Sequence, residues 1–276
     1  MKVGIDVSQH QLDWREIRER VAWAEEAGFE SAWVFDHFTA LYGDRKGPCL
    51  EAWTLLAALG AVTTRIRLGA LVTGATYRHP SLLAAEVVTA DHVSEGRLDV
   101  GLGAAWHGDE HRRLGFDFPP TGERIERLDE TVQVIKGLLT TDDFDFDGRH
   151  YRLRKAFYRP RPVQRPHPPI WIGANGTRVM LPLAARHADV WHGFGSASEL
   201  ARKSAIVDRA AESAGRDPAE IARSTSLSIS EPCDLVRREA EQLRTAGFTH
   251  LIASWPSEGL GRVEEFADVV MPELVG

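Results

Sequence analysis

Two hydrophobic rhythms alternate along the chain. Short apolar runs closed by polar or glycine-bearing turns predict buried strands. Longer stretches with apolar residues every three or four positions predict amphipathic helices. The clearest unit covers residues 66–111. Residues 66–72 and Leu98–Gly103 are strand-like, and residues 80–94 between them carry Leu82, Leu83, Ala85, Val87 and Val88 at helical spacing. Pro80 suits a first helical position, where a missing N–H costs nothing, and Gly96 provides the stop. Strand, helix and strand in that order predict a parallel pair with a right-handed crossover. Each strand runs into a polar, glycine-bearing turn, at residues 73–79 and 101–111, and the two turns are expected to wall one site.

The same rhythm continues on both sides. Residues 3–7 predict a first strand. Asp13 and Glu16 form a capping-box pattern before a helix with Ile17, Val21, Ala24 and Ala27 on one face, stopped at Gly28. Residues 31–35 predict a second strand that opens into Asp36 and His37, and residues 50–61 an apolar helix. Residues 122–139 carry Ile125, Leu128, Val132 and Ile135 along one helical face. Residues 142–165 break the rhythm: Asp147-Gly148 predicts a two-residue hairpin turn, and prolines 160, 162, 166, 168 and 169 an extended connection. Beyond it, strands are expected at 170–172, 188–191, 224–230 and 249–254. Helices are expected at 177–187, after the Ser196/Glu199 cap, and at 235–246 and 262–270.

Eight strands alternating with eight helices point to a single-domain α/β (β/α)8 TIM barrel over residues 1–276, with a hairpin-containing insertion between strands four and five. A doubly wound sheet is the other arrangement such a pattern allows. Its fingerprint is weak, because Gly101-Leu102-Gly103 lacks the third glycine and no helix follows at once.

Composition narrows the classes of function. A net charge of −7 argues against a nucleic-acid surface. The two cysteines, Cys49 and Cys233, have no metal spacing and fit a reducing cytoplasm. No apolar run approaches the roughly 20 residues of a membrane span, and MKVGIDVS enters a strand directly, so no signal peptide is expected.

Barrel chemistry sits at the C-terminal strand ends. The candidates there are Asp36, His37, residues 73–79 and 104–111, Gly173 to Thr177, and residues 192–195. His37 can donate a hydrogen bond or relay a proton, or only pack. Asp36 can orient His37, contact a ligand, or satisfy local amides. His107, Glu110 and His111 invite a metal reading, but HGDEH lacks the zincin spacing, so no metal is expected. Gly173-Ala174-Asn175-Gly176-Thr177 joins a strand to a helix and offers free N–H groups to a phosphate, or is an ordinary turn. The arginines between 149 and 165 can grip an anionic partner, or form a solvated hairpin offset by the acidic block 142–147.

Several long phrases, in order, resemble the luciferase-like monooxygenase superfamily, most strongly its branch that uses the deazaflavin coenzyme F420. They are SAWVFDHF, RIRLGALVTGATYRHPSLLA, GRLDVGLGAAWHGDEHRRLGFDFPP, ERLDETVQVIKGLL, and RPRPVQRPHPPIWIGANG followed by AARHADVWH. The resemblance implies a barrel enzyme with a flavin or deazaflavin in its mouth. Asp36 and His37 match the acidic-His pair beside the reactive ring. Ala70, Leu71, Val72 and Thr73 match a third-strand segment that carries a non-proline cis bond. Gly103, Ala104 and His107 match a ring-contacting turn, and Gly173, Ala174, Asn175, Gly176 and Thr177 the phosphate-side turn. Members that oxidise a sugar phosphate carry a glutamate at the place of Ala104 and a tryptophan near Leu41. Both are missing here, and an asparagine of the ring turn is His107. The implied function is hydride transfer between F420 and a small organic substrate. The alternatives are an FMN-dependent monooxygenase and a flavin-binding barrel without turnover. A cytoplasmic homodimer is expected.

Overall fold

The computed structural model describes residues 1–276. In its first half, the elements run β1 (Lys2–Asp6), α1 (Trp14–Glu26), β2 (Ser31–Val34), α2 (Ala52–Val62), β3 (Arg67–Ala70), β4 (Thr73–Gly74), α3 (Pro80–Val93), β5 (Leu98–Gly103), α4 (Gly108–Leu114) and α5 (Thr121–Thr140). A hairpin of β6 (Phe144–Asp147) and β7 (Arg152–Ala156) follows. Then come β8 (Ile170–Gly173), α6 (Met180–His187), β9 (Val190–Gly193), α7 (Ala197–Ser213), a short 3-10 turn (Pro218–Glu220), β10 (Ala222–Ser228), α8 (Cys233–Thr245), β11 (His250–Ser254), α9 (Leu260–Val269) and α10 (Met271–Val275).

Strands β3, β2, β1, β11, β10, β9, β8 and β5 pair in parallel in that order, and β3 pairs with β5 to close the ring. This is an eight-stranded parallel TIM-type barrel. The hairpin lies between its fourth and fifth strands, as expected. Its turn is longer than two residues, because Asp147 pairs with Arg152 and Gly148 N–H donates to the Tyr151 carbonyl.

The main core lies between strands and helices. Ile5, Ile17, Leu56, Leu68, Leu83, Leu98 and Phe248 are fully buried there. Inside the ring, Trp33 and Trp171 pack with centroids 4.4 Å apart beside Val190 and Ile252, and form a solid floor. A Cβ on Gly69 would lie 2.4 Å from the Trp33 ring, so the large floor residue requires glycine on the next strand.

Local sequence accounts for the ends of several elements. Asp13 and Glu16 form the expected capping box on α1, and Ser196 and Glu199 form another on α7. Two expectations fail in ways that matter for the site. The run 66–72 is not one strand: β3 stops at Ala70, and the cis Leu71–Val72 peptide turns the chain before β4. The helix expected from Thr177 begins only at Met180. Pro182 explains the delay. A helix begun at Thr177 would place Pro182 in its interior, where the ring clashes with the preceding turn, whereas a start at Met180 leaves it in the first turn.

Candidate functional site

The C-terminal ends of β2, β3, β5, β8 and β9 surround a cavity of about 440 Å³. Its wall includes Phe35, Asp36, His37, Leu71, Val72, Gly103, Ala104, Trp106, Gly173, Ala174, Asn175, Met180, His192 and Phe194. The lining is mostly apolar, and no lysine or arginine belongs to it.

Val72 sits behind this cavity among three glycines. A Cβ on Gly103 would lie 2.6 Å from Val72 Cγ2, and one on Gly173 would lie 3.2 Å from both Val72 methyls. On Gly101 it would lie 2.0 Å from the Ala70 carbonyl oxygen. These glycines therefore make room for protein rather than for ligand. The result is a flat back wall of Leu71, Val72 and glycine backbone, the shape a planar ring system needs.

His37 occupies one end. Its Nδ1 lies 2.8 Å from Glu110 Oε2, a carboxylate only 1% exposed. Glu110 also accepts from the Phe38 amide at 2.9 Å, from the Thr39 amide and hydroxyl at 3.0 Å, and from the Tyr77 hydroxyl at 2.5 Å. Burial works against its charge, but the bonds from His37, Tyr77 and the Phe38 amide outweigh it and hold the pKa at about 2. An ionised Glu110 only accepts, so the proton of the shared contact belongs to His37 Nδ1. Nε2 makes no hydrogen bond to the protein and is left for the cavity. Burial and the adjacent Glu110 charge push the Tyr77 phenol well above its ordinary range, so Tyr77 stays a donor.

Asp36 does not orient His37. Arg78 grips it with bonds of 2.7 and 3.0 Å, and the Gly74 amide adds a third at 3.3 Å. Arg78 also reaches Glu51 and Glu86, so one buried guanidinium serves three carboxylates. Burial raises the Asp36 pKa and the Arg78 pair only partly offsets this. Burial likewise pushes Glu86 up to about 7 against the pull of Arg78.

The structure divides the expected site residues. Asp36, His37, Leu71, Val72, Gly103, Ala104, Gly173, Ala174 and Asn175 line the cavity together. Ala70 is fully buried in β3, and the Thr73 hydroxyl accepts from Trp53 Nε1 at 3.1 Å, so neither reaches it. His107 stands behind the wall, its ring 5.8 Å from that of His37. Gly176 and Thr177 are exposed beyond the rim. His111 is not paired with His107 toward an ion: its Nδ1 meets the His107 carbonyl and its Nε2 the Thr76 hydroxyl. Sequence reasoning held Tyr77, Arg78, Trp106, Glu110 and Phe194 within its candidate stretches 73–79, 104–111 and 192–195, but it did not see Glu110 as the partner of His37 or Arg78 as the partner of Asp36. The signal for Glu110 was helix α4, which lay hidden in a stretch expected to be a turn. His192 lines the floor with Nδ1 3.0 Å from the Ser224 hydroxyl, and burial lowers its pKa to about 3, so it is a neutral hydrogen-bonding wall.

Residues 1–266 match the family described as luciferase-like monooxygenase. The chain belongs to that family. Among its relatives is an FMNH2-dependent dimethylsulfone monooxygenase of Pseudomonas putida, 30% identical over 92% of this chain and 67% of that one. Another is an F420-dependent glucose-6-phosphate dehydrogenase of Amycolatopsis mediterranei, 33% identical over 68% of this chain and 54% of its own length. An uncharacterised protein of Mycobacterium tuberculosis is 34% identical over 61% of this chain, and the match spans 64% of that relative's length. Among solved structures, an F420-dependent secondary alcohol dehydrogenase in complex with an F420-acetone adduct superposes with a TM-score of 0.87 at 20% identity, covering 99% of this chain and 98% of that one. An F420-dependent tetrahydromethanopterin reductase of Methanopyrus kandleri gives 0.85 at 19% identity, covering 99% of both chains. These two show that the barrel fold is shared. Of the named relatives, one is an FMNH2-dependent monooxygenase and another an F420-dependent dehydrogenase, so both kinds of cofactor occur among proteins similar to this chain.

Proposed function

We propose that this luciferase-like protein is an F420-dependent oxidoreductase acting on a small organic substrate. The observation that carries this reading is the His37–Glu110 pair at the end of a flat, largely apolar cavity. The residues fit a planar cofactor: Val72 and the glycine backbone form a flat wall, and the turn after β8 carries amides without protein acceptors. When bound, the deazaflavin supplies the hydride chemistry, and the protein supplies placement and electrostatics.

The chain's own part follows from its geometry. Glu110 fixes the His37 ring and leaves Nε2 free to take the hydroxyl proton of an alcohol, whose hydroxyl-bearing carbon would give its hydride to the oxidised cofactor. In the reverse direction Nε2–H donates to the carbonyl oxygen. The ionised Glu110 stabilises the imidazolium that this transfer creates. Trp106 stands edge-on to His37, with ring centroids 5.6 Å apart, at the rim of that end.

A second reading keeps the site and exchanges the cofactor. Reduced FMN would make the protein a monooxygenase, and a relative matched over 92% of this chain is FMNH2-dependent. Anaerobic fluorescence titration with F420 and with FMN separates the two. The proposal expects F420 at least about tenfold tighter, which is about 1.4 kcal/mol. Tighter FMN binding with oxygen consumption on reduction supports the second reading.

We also propose a homodimer. Helix α2 carries no charged residue from Ala52 to Val62, although Thr54, Ala61 and Val62 are exposed. On α3, the exposed Leu82 and Val93 flank Glu86 and Thr89, which meet α2 across a shallow groove.

A further inference from the structure

The ends of β2, β3, β5, β8 and β9 wall the cavity, so the three other strands of the ring, β10, β11 and β1, close its remaining side. The register shows what they point inward. Residues paired across parallel strands face one side of the sheet, and that side recurs at every second residue. Asp6 pairs with Trp33, which packs inside the ring, and also with Ser254. Ser254 pairs with Ser228, and Ser224, two residues before Ser226, pairs with His192 of the cavity. Asp6, Ser254, Ser228 and Ser226 therefore face the inside of the barrel and form a polar arc between Phe35 and His192. None is sealed: Asp6, Ser226 and Ser254 are half-buried, and Ser228 is exposed. Inward residues that still meet solvent border open space, so the mouth extends over them.

The arc holds hydrogen-bonding capacity that the protein does not use. The Ser228 and Ser254 hydroxyls make no hydrogen bond within the chain. Ser226 has one long contact, 3.4 Å to His192 Nε2. Asp6 accepts from the Ser8 amide at 2.8 Å through Oδ1, and it has no ion pair. Arg20 is bonded to the Val7 carbonyl and lies over the Trp255 ring. Burial raises the Asp6 pKa to about 6 against the pull of Ser8 and Arg20. Wet, these groups cost nothing. Covered by a ligand without partners for them, they would cost binding energy.

We infer that Asp6, Ser228 and Ser254 form the substrate-recognition side of the cavity, and that the substrate is an uncharged alcohol or ketone bearing at least one further hydroxyl. The inference rests on the proposed F420-dependent reading and names its substrate class. With the ring across the apolar Val72 wall and the reacting oxygen at His37 on β2, the second hydroxyl falls to the arc that begins on β1, the next strand. A hydroxyl both donates to Asp6 and exchanges bonds with the serines, and no lysine or arginine lines the cavity to hold an anion.

The test uses F420-loaded protein with 2-butanol, 1,3-butanediol and 2,3-butanediol, which share a carbon skeleton. The expected kcat/KM for the better diol is at least about tenfold above that for 2-butanol. Ser228→Ala combined with Ser254→Ala removes no hydrogen bond within the protein, so its effect reads the ligand. It should cut the diol preference to below about threefold by raising KM for the diol. Asp6→Asn keeps an acceptor for the Ser8 amide and should weaken the preference likewise. Ligand-observed NMR of the three alcohols, with and without F420, reads the same preference where there is no turnover. Equal treatment of 2-butanol and the diols by wild type, or a preference that survives in the variants, overturns the inference and leaves the F420 reading intact. A loss of F420 affinity in the serine variant, by fluorescence titration, gives the arc to the cofactor and also overturns it. A wild type that binds the diols but no F420 overturns the cofactor reading instead.

Discussion

Glu110 decides what His37 can do. Replacing the carboxylate by an amide, as in Glu110→Gln, removes the acceptor that fixes the ring and sets an N–H group against donors. Turnover should fall by about 10²–10⁴ while FMN and F420 affinities hold, as read by steady-state kinetics beside titration. His37→Ala should lose a similar factor, and unchanged kcat in that variant would return His37 to packing. The acid side of stability follows from the same residue. Its folded pKa of about 2 lies below the ordinary value of 4.5, so Glu110 stabilises the fold above that value and loses its contribution as pH falls toward 2. Glu86 works with the opposite sign. Its folded pKa of about 7 lies above 4.5, so its ionisation costs stability as pH rises between those values. Glu86→Gln should therefore raise Tm at pH 8 and leave it unchanged near pH 4, by calorimetry. Asp36 and His37 were legible in the sequence because they follow a strand directly. Their partners were not, because Arg78 and Glu110 lie 42 and 73 positions away and only the closed barrel brings them together.

At the scale of elements, the strand and helix rhythm was legible almost throughout, because each barrel strand is buried and each helix keeps one apolar stripe. Caps were the most readable feature, since they are local chemistry. The failures came where one residue overruled a pattern: Pro182 shortened α6, and the turn at Leu71–Val72 ended β3 inside an apolar run. Glycines were legible as positions but not as reasons. Gly176 was read as part of a turn that presents free N–H groups, yet a Cβ there meets only Met180, at 3.7 Å. Gly101 is the crowded one. Gly176→Ala should fold with stability within about 0.5 kcal/mol of wild type. Gly101→Ala should lose at least about 1–3 kcal/mol, or fail to fold, in urea titrations.

The whole molecule spends its two faces differently. The N-terminal end of the barrel is tied by ion pairs and arginine caps, such as Arg67 bonded to Asp99 at 2.8 and 2.9 Å, and Arg97 bonded to the carbonyls of Gly60, Thr63 and Ile66. The opposite end has ion pairs too, Arg78 with Asp36, Glu51 and Glu86, but there His37 and Asp36 also line the cavity. No helix is long and apolar enough to cross a membrane. In the proposed assembly the outer side of α2 and α3 packs against a second copy of the chain. With Val62→Asp and Leu82→Glu combined, sedimentation should shift from dimer to monomer. A wild type that already sediments as a monomer would refute the proposed assembly.

The nesting of Val72 against glycine also constrains the order in which this sequence can change. Added to the present chain, a methyl at position 103 meets Val72 Cγ2 at 2.6 Å, but the Val72 Cβ itself stays 3.7 Å away. At position 173 the same Cβ is 3.8 Å away. Once Val72 is trimmed to alanine, alanine at 103 or at 173 becomes sterically free. Gly103→Ala before Val72→Ala crosses a trough in stability, whereas the reverse order does not. The back wall is thus a single heritable unit, and its members should change together or in that one sequence of steps.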